Sequence, residues 1–140
     1  MILVDTNVIS VLCKFTPDQQ PTNWLQVHRG EILISAITIA EMAFGIACLP
    51  SGQQRHALRQ RLDDIKLDFT GQIVPFTSVE AEIFGTLMAK RRAIGRPMSI
   101  PDCQIAATAL VLEVPLATRN STDFEHIGLA IINPWLQSSK

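Results

Sequence analysis

Apolar and polar positions along the 140-residue chain switch between two rhythms, and that switching predicts the architecture. Residues 2–4 are a short run of branched apolar side chains that stops at Asp5, as a buried strand does. Thr6 or Asn7 then offers a cap for a helix predicted to run to about Lys14. Pro17 and Pro21 are turn signals, followed by a short helical stretch around Trp24 to His28, a stop at Gly30 and a second branched run at 32–34. Thr38 with Glu41 three positions later has the form of a capping box, so the next helix is predicted to open at Thr38 and to end before Pro50.

Further along, Leu58, Leu62, Ile65 and Phe69 recur at three- and four-residue spacing, the core stripe of a long helix over 53–69 that Gly71 stops. A third strand is expected at 73–76. Thr77 and Glu80 form a second capping-box pattern for a helix over 78–93, which Gly95 and Pro97 break. Ser99 is placed to cap another helix, with Pro101 in its first turn, where the missing N–H costs nothing, and Asp102 beside it. Strands are expected at 115–117 and 130–132. Alternating strands and helices specify an α/β three-layer sandwich with a mostly parallel central β-sheet flanked by helices. No repeat or linker divides the chain, so residues 1–140 are expected to form one domain.

Composition changes this picture little. A hydrophobic content of 47% suffices for one core, and a net charge of -1 assigns any nucleic-acid contact to local basic patches. Cys13, Cys48 and Cys103 are odd in number and far apart, which suits reduced thiols in a cytoplasmic protein. The N-terminus lacks a basic region and carries Asp5 within its apolar stretch, against a signal peptide. Residues 32–49 are nearly continuous in apolar side chains, yet the central Glu41 argues against a membrane span.

The chemistry lies in the carboxylates. Ligands of open parallel sheets gather beyond the carboxyl ends of the strands, and the acids sort by that rule. Asp5 follows the first strand, Glu41 sits near the start of a helix that follows a strand, Asp102 is at a helix entrance, and Asp123 is in the loop after the strand at 116–117. Converging there, four carboxylates repel one another unless they bind a cation. Oxygen ligands without sulfur or imidazole suit a hard ion, Mg²⁺ or Mn²⁺. Such a site supports phosphodiester hydrolysis, in which the ion acidifies a water and neutralises charge on the phosphate. Thr6, Asn7, Ser99 and Asn120 lie beside the acids and are candidates for orienting them. Each acid alone also has a structural reading as a cap, a first-turn residue or a turn residue, so spacing by itself leaves the function open.

Four blocks resolve that ambiguity. MILVDTNVIS, SAITIAEMAFGI, GRPMSIPDCQIAATA and LATRNSTDFEHIGLAIINPW resemble, in this order, PIN-domain proteins and in particular the FitB-like branch of the VapC toxins. The resemblance implies a PIN-like fold and a metal-dependent endoribonuclease, the toxin of a type II toxin–antitoxin pair, with Asp5, Glu41, Asp102 and Asp123 as metal-site acids and Thr6 and Asn120 in support. It also implies a cognate antitoxin that blocks the site, a homodimer, and operator DNA reached only through the antitoxin. Cys103 and the pair Ser121 and Thr122 depart from the family pattern, which favours a small residue at the first position and basic ones in that loop.

Lys90, Arg91, Arg92 and Arg96 lead toward Asp102, and with Arg119 they are candidates for contacting RNA phosphates; a solvated helix face is the competing reading. His28, His56 and His126 show no ligand spacing. Trp24, Phe44, Phe84 and Trp135 are core or dimer-contact candidates. Two other classes fit the sequence less well. An aspartyl-phosphate enzyme of the haloacid-dehalogenase type has a second aspartate where Asn7 stands, and a receiver-like domain wants an acidic pair and a late lysine that are missing. A PIN fold kept only as a non-catalytic binding or regulatory module acting with an antitoxin is opposed by the presence of all four acids.

Overall fold

The computed structural model describes residues 1–136; the last four positions of the expected domain lie outside the described residues. Five strands, β1 (Ile2–Val4), β2 (Ile32–Ser35), β3 (Ile73–Val74), β4 (Leu116–Ala117) and β5 (Ile131–Ile132), form one sheet in the order β3-β2-β1-β4-β5. All four pairings are parallel, with Val4 opposite both Ile34 and Ala117. The α/β sandwich expected from the pattern is therefore present. Side chains alternate across the sheet with period two. Ile2, Val4, Ile32, Ile34 and Ala117 join one core with Trp24, Leu25, Leu62 and Ile65, while Leu3 and Leu116 join a second with Leu87, Cys103, Ala106 and Phe124.

The helices that build these layers are α1 (Thr6–Ile9), α2 (Gln19–Val27), α3 (Ala36–Ala47), α4 (Gln53–Asp68), α5 (Ser78–Ala93) and α6 (Ile100–Leu112). α4, α5 and α6 match the expected bounds, and the Thr77 and Glu80 capping box is formed. Four details differ. α1 is one turn capped by Asp5 itself and continued by a 3-10 turn, Ser10–Cys13. α2 begins before Pro21, which occupies the first turn where no donor is needed. α3 opens at Ala36, because Ser35 at the end of β2 accepts from the Ile37 amide at 3.0 Å and caps the helix two residues early. β3 stops at Val74, since Pro75 has no amide to continue the ladder.

The apolar stretch 32–49 is thus a strand joined to a helix. No helix among the described residues is long and apolar enough to cross a membrane. Trp24 is buried and Phe84 and Trp135 are partly buried against the two cores, whereas Phe44 on α3 is 72% exposed.

Chain order fixes where a crevice forms. From β1 the chain crosses to β2 and β3 on one side, then returns to β4 and β5 on the other. Successive parallel strands that leave a central strand in opposite directions open a gap at its carboxyl end. Asp5 and Thr118 stand at that gap, one residue beyond β1 and β4.

Candidate active site

Asp5 anchors the site because the sheet fixes it twice. Its amide donates to the Ala117 carbonyl at 2.8 Å, extending the β1–β4 ladder, and its Oδ1 accepts from the Thr6 amide at 2.8 Å as the cap of α1. Oδ2 accepts from Thr118 Oγ1 at 2.8 Å and from Asn7 Nδ2 at 3.3 Å. Only 4% of Asp5 is exposed. Burial lifts its pKa to about 6, the Thr118 and Thr6 bonds pull the other way, and the charges of Asp102 and Glu41 add to the rise.

Glu41 arrives from α3. Thr6 Oγ1 lies 2.6 Å from Glu41 Oε1 and 3.1 Å from Thr38 Oγ1; its single proton goes to the carboxylate. Thr38 is fully buried inside α3, so it does not cap the helix, and Glu41 is free of any capping-box bond and faces Thr6. Asp102 arrives from the first turn of α6, whose cap Ser99 accepts from the Asp102 amide at 3.3 Å. Burial raises the Asp102 pKa, the Ser99 bond lowers it, and the charge of Asp123 raises it. Asp123 sits in a 3-10 turn, Ser121–Phe124, that follows β4. It is exposed, and its amide donates to the Asn120 carbonyl at 3.0 Å.

The fold therefore brings Asp5 within electrostatic reach of Glu41 and Asp102, and Asp102 within reach of Asp123. Among the described residues, no group of three His, Cys, Asp or Glu side chains is close enough to hold one ion. The donor set still fits a hard cation. Mg²⁺ commonly takes one or two carboxylates and completes its shell with water or phosphate, and a carboxylate oxygen already accepting one bond retains a lone pair. A buried carboxylate beside two others, with its pKa raised, is also the electrostatic environment that such an ion relieves.

The supporting residues divide. Asn7 bridges Asp5 and the next loop, giving Nδ2 to Asp5 and accepting from the Arg119 amide at 3.3 Å. Asn120 acts through its backbone, with its amide donating to Thr118 Oγ1 at 3.1 Å. Pattern reasoning missed Thr118 and read Thr38 only as a helix cap, not as a partner of Thr6. Thr118 was detectable in principle, since it occupies after β4 the position that Asp5 occupies after β1.

The basic residues divide too. Arg92 is exposed; Arg96 is exposed and pairs with Glu125 at 3.4 Å; Arg119 is exposed and lies 5.0 Å over the Trp135 ring. Arg91 corrects the expectation of an RNA contact. It is 4% exposed, and its guanidinium donates to the backbone carbonyls of Arg96, Glu125 and Asp123. Helix α5 turns it inward, away from any phosphate. Cys103 lies in the core between α5 and α6, where burial pushes its thiol up to about 11 and keeps it protonated.

The chain has relatives among known proteins. The family model described as "PIN domain" matches residues 2–129. The chain is 39% identical to VapC ribonuclease Y4jK of Sinorhizobium fredii over 96% of its length and 98% of that protein. It is 35% identical to toxin FitB of Neisseria gonorrhoeae, over 96% and 99%. A solved structure of FitAB bound to an IR36 DNA fragment superposes with a TM-score of 0.88 at 34% identity, covering all of both chains.

Proposed function

Because this chain belongs to the PIN-domain family, we propose that it is a metal-dependent endoribonuclease, the toxin of a type II toxin–antitoxin pair, and that residues 1–140 act as one domain. The observation that carries this reading is the buried Asp5 at the switch point of the sheet, whose pKa burial lifts to about 6 and to whose rise the charges of Asp102 and Glu41 add. Asp5, Glu41, Asp102 and Asp123 would hold Mg²⁺ or Mn²⁺. Such an ion, when bound, opposes the charge of the phosphate and lowers the pKa of water at the scissile bond.

The chain's own residues do the positioning. Thr118, Asn7 and the Thr6 amide fix both oxygens of Asp5. Thr6 Oγ1 holds Glu41, and Ser99 fixes the entrance of α6 and with it Asp102. Arg92, Arg96 and Arg119 remain accessible for RNA phosphates. An antitoxin partner is supported by likeness to a toxin and to FitAB, which has been solved bound to a DNA fragment; operator DNA is then reached through the antitoxin. A homodimer is supported by Val79, Ile83 and Ile94, apolar side chains that α5 and its end leave exposed. Free thiols at all three cysteines suit the cytoplasm.

The test is cleavage of total bacterial RNA by the purified chain with Mg²⁺, Mn²⁺ or EDTA, beside Asp5→Asn. Metal-dependent fragments that vanish in the variant support the reading. No cleavage by a folded, antitoxin-free protein with either metal overturns it in favour of a binding module.

A further inference from the structure

Arg91 is a buried cation with no carboxylate paired to it among the described residues. Removing a guanidinium from water is costly unless its donors are met, and here backbone carbonyls meet them. Nε donates to the Arg96 carbonyl at 2.8 Å, Nη1 to the Glu125 carbonyl at 2.5 Å and Nη2 to the Asp123 carbonyl at 3.3 Å. Each nitrogen of one rigid plane is thus committed to main chain, one to the segment after α5 and two to the Asp123 turn.

Those stretches carry the acids. Helix α5 ends with Gly95 in the left-handed region at φ 72°; the Gly95 amide donates to the Arg92 carbonyl and the Arg96 amide to the Arg91 carbonyl at 2.9 Å. Arg91 and Arg96 are therefore joined in both directions, by backbone and by side chain. From Arg96 only two residues intervene before Ser99, the cap that orients Asp102. On the other side, the Asp123 and Glu125 carbonyls bracket Phe124, the buried residue of an otherwise largely exposed turn. Asp102 and Asp123 thus stand on the two sides of this junction, Asp102 in the first turn of α6 behind its Ser99 cap and Asp123 in the turn whose carbonyls Arg91 holds.

From this junction we infer that Arg91 is a positioning residue, whose guanidinium sets the spacing of Asp102 and Asp123 by clamping the entrance of α6 to the Asp123 turn. The inference rests on the nuclease reading of that site. Lysine cannot replace it, because an ammonium places its donors at one point and does not span three carbonyls. Asp123, exposed and with no side-chain hydrogen bond of its own among the described residues, depends on the clamp more than Asp5 or Glu41 does.

The test uses the full chain with Arg91→Lys, and Arg91→Gln as a second, neutral variant in case the first folds poorly. Folding is verified by circular dichroism and melting. Turnover on RNA and Mn²⁺ affinity, the latter by titration in the absence of RNA, are then compared with wild type. We expect kcat to fall about 10- to 100-fold with KM within about twofold, and Mn²⁺ affinity to fall about tenfold, the range found when groups that orient metal ligands are removed. In double-mutant cycles, Arg91→Lys should add little to Asp123→Asn but multiply with Glu41→Gln. A merely structural role would lower the melting temperature and leave turnover and Mn²⁺ affinity within twofold, which overturns the inference; independent effects with Asp123→Asn overturn it as well. If the wild-type chain binds Mn²⁺ but cuts no RNA, the nuclease reading fails while the affinity cycle still decides the role of Arg91. If it binds no Mn²⁺, both fall.

Discussion

Thr118 Oγ1 donates to Asp5 Oδ2 at 2.8 Å, joining the residues that stand one step beyond adjacent parallel strands. The bond is buried, spans 113 positions of sequence and partly offsets the desolvation of the Asp5 carboxylate. It makes Asp5 usable as an anion in a place that otherwise disfavours charge.

Thr118→Val keeps the shape and removes that donor. Losing one of the three hydrogen bonds to a buried carboxylate, those from the Thr6 amide and Asn7 remaining, should cost about 1–3 kcal/mol at pH 7.5, read by urea unfolding, and cleavage should fall with it. The hydrogen bond lowers the Asp5 pKa, so its loss moves that pKa further upward. Unchanged stability would mean that Thr118 is not a significant support for the ionised form.

Asp5 also sets a pH signature. Its folded pKa of about 6 lies above the ordinary value of 3.8, so the protonated form favours folding and ionisation opposes it. The contribution of this group is fully present below about pH 4 and is lost as pH rises through about 6. In EDTA, Asp5→Asn should therefore be more stable than wild type at pH 7.5, by on the order of 2 kcal/mol, with the difference vanishing toward pH 4. Melting curves of both proteins across that window check the sign. A variant less stable than wild type at pH 7.5 would contradict the desolvation argument.

Metal should act in the opposite sense. Millimolar Mn²⁺ bound to the acids stabilises the folded chain by mass action, so the wild-type melting temperature should rise by several degrees and fall back on chelation. Asp102→Asn should abolish most of the rise, because it removes a first-turn carboxylate of α6 while leaving the Ser99 cap in place. An equal rise in the variant would put the ion elsewhere.

Arg119 is exposed beside the site and steadied by the Trp135 ring at 5.0 Å. Arg119→Ala should raise KM several-fold with little change in kcat and reduce the salt slope of RNA binding by about 0.7, the loss of one phosphate contact to a single strand. Fluorescence anisotropy with a non-cleaved RNA, at stepped salt, reads that slope directly.

Much of this protein was legible one residue at a time. The branched run ending at Asp5, the Ser99 cap before Asp102 and the Thr77 and Glu80 box are local patterns, and local hydrogen bonding enforces them whatever surrounds them. Four motifs in order were enough to place the acids in one family. Local reasoning failed where two acceptors competed: Thr38 and Ser35 both suit a cap, and only the end of β2 decided for Ser35 and left Thr38 buried against Thr6. It failed again at Arg91, where a run of four basic residues does not say which one the helix turns inward.

What the sequence by itself determined is the element order and the chemical type of the site, because periodicity, caps and residue identity are properties of short segments. The tertiary structure alone decided that Thr118 meets Asp5, that Glu41 answers Thr6, and that Arg91 binds main chain from three places. The first two pairings follow from strand order and register, which bring residues 113 and 35 positions apart within hydrogen-bond distance, and no local rule encodes a distance across the sheet.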